Sequence, residues 1–369
     1  MKILKVINSL GTGGAEKLLL ETLPLYHKNS IEMDILLLWD NNCMFTSKLK
    51  ELDCCKVLVL NKSKNLKLIY NPLNIFKIAR VIKNYDIAHI HLFPAQYFSV
   101  LANMLTGNKC KLIFTEHNTS NRRIANVFFK PIELFFYKRY TKIITISTEI
   151  EEIYKNYLSL DDSKVEMINN GVSLEGIFEA NVIEKKNLNK SLTKNDLLIV
   201  QVSAFRPQKD QKTLIRAIKE LDNRFKLILV GDGVTINDHK LLVQDLGLKD
   251  RVLFLGQRDD VNNILKSASV VVLSSLYEGL SLASIEGLAS GKPFIASNVP
   301  GLSEIVKGFG LLFEQGNVNE LVRIINDVID DKHLYDNVVE KCLIRAKEFN
   351  IDKMIKKHIS LYREVYAKA

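Results

Sequence analysis

Short apolar runs rich in Ile, Leu and Val recur at 3–7, 33–38, 56–60, 87–91, 111–114 and 142–146. Each is too brief for a helix and suits a buried strand. Between them, segments such as 15–26 and 72–83 repeat apolar residues at helical spacing. Strand alternating with helix predicts a parallel sheet covered by helices on both faces. The pattern then restarts. Runs at 197–202, 226–230, 252–255, 270–273 and 293–296 predict a second set of strands, with helical patterns at 212–221, 240–246, 261–267 and 282–289. The polar, Lys- and Asn-rich stretch 179–196 separates the halves and reads as a linker. The expected fold class is therefore α/β, with two Rossmann-like doubly wound domains at 1–178 and 179–351. No strand follows the last stretch, 351–369.

Composition changes this picture little. At about 150 residues per domain, 369 residues allow two. A chain that is 47% hydrophobic and 25% charged can bury substantial cores, which excludes disorder as its main theme. Its five cysteines are odd in number and form no C-x-x-C pair, so neither a disulfide framework nor a zinc site is expected. Reduced thiols in a cytoplasmic protein are the reading. Lys5 interrupts the first apolar run, which argues against a signal peptide. No uncharged apolar run approaches the ~20 residues of a membrane span. The net charge of +9 is spread evenly, +5 over residues 1–180 (23 basic less 18 acidic) and +4 over the rest (28 less 24). That evenness speaks against a nucleic-acid-binding protein.

Several loops carry candidate chemistry. The first strand runs into Gly11-Thr-Gly13-Gly14-Ala-Glu16-Lys and then a helix. Such a turn either brings backbone N–H groups to an anion or simply joins strand to helix. It departs from the dinucleotide fingerprint because Glu16 stands at the third glycine position, where its carboxylate would repel a pyrophosphate. Gly287-Leu-Ala-Ser-Gly291-Lys292-Pro293 mimics a P-loop, but its glycines are one residue too close and Pro293 replaces the hydroxyl that would hold magnesium. Gly291 reads instead as a helix C-terminal glycine.

The most informative stretch is Tyr277-Glu278-Gly279-Leu280-Ser281-Leu282-Ala-Ser-Ile-Glu286. A helix beginning near Ser281 leaves the amides of Leu280, Ser281 and Leu282 as donors for a diphosphate. Glu286 lies within that helix and can accept from two vicinal hydroxyls, as a ribose presents; Glu278 lies in the loop, within reach of a sugar on the diphosphate. Arg206 and Lys209 follow the strand at 197–202 and either neutralise that diphosphate or are plain surface cations. His89, His91 and His117 stand at strand ends. An H-x-H pair can ligate a metal, but no carboxylate accompanies it at ligand spacing and no D-x-D occurs, so the site is expected to be metal-free. His89 reads as core or support.

In this order, the motifs resemble retaining glycosyltransferase family 4, with the GT-B fold, over essentially the whole chain. The E-x7-E signature is matched by Glu278 and Glu286. The GGAE loop, His117, Asn169-Asn-Gly-Val-Ser, the PQK lysine Lys209 and Gly310-Leu-Leu-Phe also fit. The resemblance implies that Glu286 binds the nucleotide ribose, while Glu278 with Gly279 and the Leu280–Leu282 amides holds sugar and phosphate. It gives Lys209 the departing diphosphate and His117 the donor sugar near the reacting carbon. Gly13 and Gly14 would close over the phosphates, with Glu16 and His91 on the acceptor side. The acceptor hydroxyl would attack on the leaving-group face with the leaving phosphate as base, and neither metal nor other cofactor would be required. The terminal helix 352–369 would pack back on the first domain. One departure is that the family's arginine position holds Ala204, and Arg206 follows two residues later.

The segment 109–142 holds eight Lys or Arg against Glu116 and Glu133, with aromatics interleaved at 127–140. Either the span 122–142 lies on an anionic membrane near a lipid-linked acceptor, or its aromatics pack inward beneath solvated lysines. The expected function is sugar transfer from a nucleoside diphosphate donor, a UDP-sugar, to a saccharide or lipid-linked saccharide of an envelope or capsular polymer. An epimerase or hydrolase of nucleotide sugars on the same fold is the alternative.

Overall fold

The computed structural model describes every residue except Thr12, residues 118–122, Ile124, Ala125 and Ala369. The chain divides into two compact units, Met1–Asn170 with Ile351–Ala369, and Gly171–Asn350.

The first unit is built on a parallel seven-stranded sheet of β1 (Lys2–Ile7), β2 (Glu32–Leu37), β3 (Val57–Val59), β4 (Ile87–His91), β5 (Lys111–Glu116), β6 (Lys142–Thr145) and β7 (Val165–Met167). Its order is β3-β2-β1-β4-β5-β6-β7. Both faces are covered, so β1 and β4 are buried almost throughout, and Ile3, Leu4, Val6, Ile87 and Ile90 are fully buried. The helix Ile351–Ala367 belongs to this unit and turns Met354, Ile355, Leu361, Tyr362 and Val365 inward.

The second unit has a parallel six-stranded sheet of β8 (Leu197–Val202), β9 (Phe225–Val230), β10 (Val252–Gly256), β11 (Val270–Leu273), β12 (Phe294–Ser297) and β13 (Leu311–Phe313), in the order β10-β9-β8-β11-β12-β13. Ile199, Leu227, Val270 and Ile295 meet Leu214, Ile218 and Leu321 in one apolar core.

Both sheets reverse their winding once, between β1 and β4 and between β8 and β11. The carboxyl ends of the strands flanking such a switch point are where doubly wound sheets bind ligands. The loops singled out in the sequence lead from these ends.

Three expectations need correction. Residues 171–178, placed in the first domain, belong to the second unit: Val172 pairs with Asn350, and Asn262 donates to Gly176 O. The stretch 179–196 is no free linker. Asn181 N donates to Asn263, Ile183 N to Ser267 Oγ, and Lys185 Nζ to the carbonyls of Lys194 and Asp196. Finally, β7 and β13, each three residues long, were not anticipated as strands.

Candidate active site

In the second unit, the chain leaves β8 through Ser203–Arg206 into a short 3₁₀ turn, Pro207–Lys209, and enters the helix Gln211–Glu220. Asp210 joins them with a positive φ of 41°. The turn is held from below. Gln201 Nε2 donates to Lys209 O at 3.2 Å, and Ser274 Oγ donates to Asp210 O at 2.9 Å. These bonds fix the backbone from which Lys209 projects.

The chain leaves β11 through Ser274 and Ser275, and Leu276 N donates to Gln208 O at 2.8 Å, which binds the two loops together. Across that seam lies an ion pair that the sequence did not announce: Lys209 Nζ is 2.5 Å from Glu278 Oε1. Ser275 Oγ donates to the same oxygen at 2.6 Å. Glu278 is 6% exposed and the Lys209 side chain 14%, so each charge is largely desolvated and needs the other. Gly301 closes the loop from behind. Its φ is +80°, and a Cβ there would lie 2.2 Å from Glu278 O.

The helix Leu282–Ala289 begins one residue later than the nominated amides suggested. Ser281 is its N-cap and uses no side-chain oxygen as a cap. The first-turn amides of Leu282 and Ala283 have no acceptor among the described residues, as first-turn donors of a helix do not. Leu280 is already engaged in an interaction of its own. Glu286, one turn further on, is buried at 5% exposure and likewise engaged. A cation, a positive helix terminus and two carboxylates at one switch point make a site for an anion carrying hydroxyls. Arg206 stands apart from this group: it is exposed, and its side chain has no bond or ion pair among the described residues.

The first unit is arranged differently. Gly13 is the N-cap of the helix Gly14–Lys28, and Glu16 folds back over it, so that a Cβ on Gly13 would lie 2.3 Å from Glu16 Oε2. That is the position from which the third residue of a helix serves its N-terminus. Gly14 faces open space.

At the ends of β4 and β5, His91 Nδ1 lies 3.0 Å from His117 Nε2. Burial and the nearby Lys5 hold His117 down to about 4, and both causes also press His91 well below its ordinary range. His89 is fully buried. Among the described residues no cluster of His, Cys, Asp and Glu suits a metal.

The aromatic segment divides its two readings between two faces. Past a 3₁₀ turn, the helix Lys130–Tyr137 buries Phe136 and Tyr137 while exposing Phe129, Ile132 and Phe135, with Phe128 at 89% exposure ahead of it. Lys130, Lys138 and Arg139 are exposed alongside. Arg122, part of the same expected surface, lies outside the described residues. No helix among the described residues is long and apolar enough to cross a membrane.

Residues 12–175 match the model of Glycosyltransferase Family 4, and residues 183–342 that of Glycosyl transferases group 1. Escherichia coli UDP-Gal:alpha-D-GlcNAc-diphosphoundecaprenol alpha-1,3-galactosyltransferase is 33% identical over 320 residues, 81% of each chain. The chain belongs to the family 4 glycosyltransferases. A Campylobacter jejuni relative, an N-acetylgalactosamine-N,N'-diacetylbacillosaminyl-diphospho-undecaprenol 4-alpha-N-acetylgalactosaminyltransferase, is 25% identical over 93% of this chain and 94% of its own. Among solved structures, Anabaena HepE in complex with UDP and glucose superposes with a TM-score of 0.85 at 21% identity, over 99% of this chain and 100% of that one. The fold of this glycosyltransferase is therefore GT-B.

Sequence reading missed the parts that hold the site. Ser274, Ser275 and Gln201 give no signal, because serine and glutamine in a loop or strand look alike everywhere. The glycines did signal. Gly231 and Gly233 have φ of 134° and 157°, and a Cβ on either would lie within 2.3 Å of a carbonyl of the 203–205 loop. A Gly-Asp-Gly turn beside a strand end was legible as a close backbone approach.

Proposed function

We propose that this glycosyltransferase moves a sugar from a UDP-sugar to a lipid-linked saccharide in envelope polysaccharide synthesis, with retention of configuration and without a metal. The observation that carries the reading is the Lys209–Glu278 pair at the β8/β11 switch point, beside the open N-terminus of the Leu282–Ala289 helix. Lys209 and the first-turn amides supply the positive potential that a diphosphate leaving group needs, which is the work a divalent cation does in other transferases. Glu286 takes the ribose hydroxyls, and Glu278 orients the sugar while holding Lys209. His117 meets the sugar near its reacting carbon, with the loop at Gly13 and Gly14 over the phosphates; Arg206 supplies a secondary cation.

In this reading the bond from the anomeric carbon to the diphosphate oxygen breaks. The acceptor hydroxyl oxygen bonds to the same face of that carbon, and its proton passes to the departing phosphate oxygen. No protein side chain is needed as base. A UDP-sugar is supported by the E. coli relative's name and by HepE, whose structures hold UDP, glucose and UDP-glucose. A lipid-linked acceptor is supported by the diphosphoundecaprenol substrates named for both bacterial relatives. The exposed Phe128, Phe129, Ile132 and Phe135, bordered by Lys130, Lys138 and Arg139, suit contact with an anionic membrane carrying such a lipid.

The test is release of nucleoside diphosphate from a panel of UDP-, GDP- and ADP-sugars, with and without a diphosphoundecaprenol-linked saccharide acceptor, and with EDTA present. Turnover of one UDP-sugar, unaffected by EDTA, is expected. Glu286→Ala removes charged hydrogen bonds worth about 1.5–3 kcal/mol and should weaken donor binding about 10- to 100-fold. Folded protein without turnover across the panel, or activity abolished by EDTA, would refute the reading. Release that never depends on an acceptor would point to a hydrolase.

A further inference from the structure

A polar ridge crosses the first unit beneath the helix Ile351–Ala367. Lys5 on β1 and His89 on β4 are register neighbours, and Lys5 Nζ lies 2.7 Å from His89 Nδ1 and 2.9 Å from Tyr362 Oη. Tyr362 Oη is also 2.6 Å from His89 Nδ1, and His89 Nε2 is 2.6 Å from Thr115 Oγ1. His358 Nδ1 meets Tyr26 Oη at 2.6 Å. The His89 and His91 rings stack at 4.5 Å, and His91 then meets His117. The charged and titratable groups facing the histidine pair are thus Lys5 from β1, His89 from β4, His358 and Tyr362 from the last helix, and Tyr26 from the helix Gly14–Lys28. No carboxylate pairs with Lys5 among the described residues, and the Glu116 carboxylate next to His117 is taken by Tyr137 Oη at 2.6 Å.

His91 Nε2 is buried and has no hydrogen-bond partner among the described residues. One nitrogen of a neutral imidazole carries the proton and the other does not. If His91 carried it on Nε2, a donor would be orphaned in the interior, which proteins avoid more strictly than an orphaned acceptor. The proton therefore belongs on Nδ1, aimed at His117 Nε2. That nitrogen must then accept, which leaves the His117 proton on Nδ1. A second proton on His117 would set N–H against N–H.

We propose that His91 is a positioning residue that fixes His117 as the neutral, Nδ1-protonated tautomer, so that a hydrogen-bond donor rather than an imidazolium meets the donor sugar. The sugar-facing role rests on the function proposed above; the tautomer does not. The chemistry gives the arrangement a purpose, because sugar transfer builds positive charge at the anomeric carbon and an adjacent imidazolium would oppose it. Lys5 works in the same direction: burial presses its own charge off, and whatever charge remains disfavours protonation of all four histidines.

The test is a long-range ¹H–¹⁵N correlation spectrum of ¹⁵N-histidine-labelled full-length protein at neutral pH, with His117 assigned by its loss in His117→Gln. Wild type should show His117 protonated on Nδ1. His91→Leu should move that proton to Nε2 and lower kcat about tenfold while changing the donor KM less. His91→Asn, whose amide can place an N–H near the lost Nδ1, should restore both. A wild-type His117 protonated on Nε2, or a tautomer indifferent to His91→Leu, overturns the proposal, and the wild-type spectrum needs no variant to fold. Full turnover by His117→Gln would instead refute its sugar-facing role and leave the tautomer assignment standing.

Discussion

The strand ends of the two units solve the burial of polar groups in opposite ways. At the β8/β11 switch, Lys209 and Glu278 lose most of their water but keep their charges by pairing, with Ser275 filling a further acceptor site on Glu278. At the β1/β4 switch, Lys5 and four histidines are packed together with tyrosines and Thr115, and burial drives them toward neutrality. One site is therefore held by an ion pair, which in the proposed function receives the leaving diphosphate. The other is drawn toward neutrality by burial, which in that same proposal suits a reacting carbon that gains positive charge. The division follows from composition at the strand ends, since among the described residues a carboxylate answers Lys209 and none answers Lys5.

The sharpest way to break the comparison is to remove one charge of the pair. Lys209→Met strands a buried Glu278 and, in the proposed function, takes away the cation at the leaving group. It should lower kcat by about 10²–10³, as removal of one preorganised donor does elsewhere. It should also reduce stability by up to about 3–5 kcal/mol, the cost of leaving a buried charge alone. Lys209→Met with Glu278→Gln should recover much of that stability and none of the activity. Urea unfolding and donor turnover on the three proteins separate the two effects. Equal stability for the single and double variants would mean that the pair is not desolvated.

The second test uses pH. A histidine whose folded pKa is lowered binds its proton in the unfolded chain first, so stability rises with pH and is lost as pH falls. For His117 the window runs from 6.5 down to about 4, and each full proton is worth about 1.4 kcal/mol per pH unit. His89, His91 and His358 are shifted in the same direction and add to the slope. His239 in the second unit shifts the same way, so a whole-chain signal responds as well. Trp39, the only tryptophan, lies in the first unit and reports it. Its unfolding midpoint in urea should fall steadily between pH 7 and pH 5. A flat midpoint would show that the histidines of the first unit are not held neutral.

What the sequence made legible divides along the same line. Strands buried on both faces are nearly continuous apolar runs, so β8 and β11 could be read to the residue. The Glu278–Glu286 spacing drew attention to the loop where Glu278 meets Lys209, because carboxylates and glycines around a helix start are chemically unusual neighbours. The ridge under the last helix was invisible for a different reason. Lys5 and Tyr362 are 357 residues apart, and only the sheet register with the returning helix brings them together. Lys5 looked like an interruption of an apolar run, whereas it is the buried centre of that ridge. The 179–196 stretch misled because its polarity is spent on hydrogen bonds to the second unit rather than on water.

The smallest effects come from glycines, and they sharpen the contrast between structural and functional need. Gly301 has φ of +80° and almost no room before Glu278 O, so Gly301→Ala should destabilise the second unit by about 1–3 kcal/mol and displace the Glu278 loop. Gly14 has open space and sits at the first position of a helix, so Gly14→Ala should be neutral or stabilising by up to about 1 kcal/mol. Structure alone gives Gly14 no reason to be glycine. If the loop closes over phosphates, a Cβ there obstructs that approach, and Gly14→Ala should lose donor affinity by a few fold while its melting temperature holds or rises. Unchanged donor affinity would remove Gly14 from the donor site and leave the turn as a plain strand-to-helix connection.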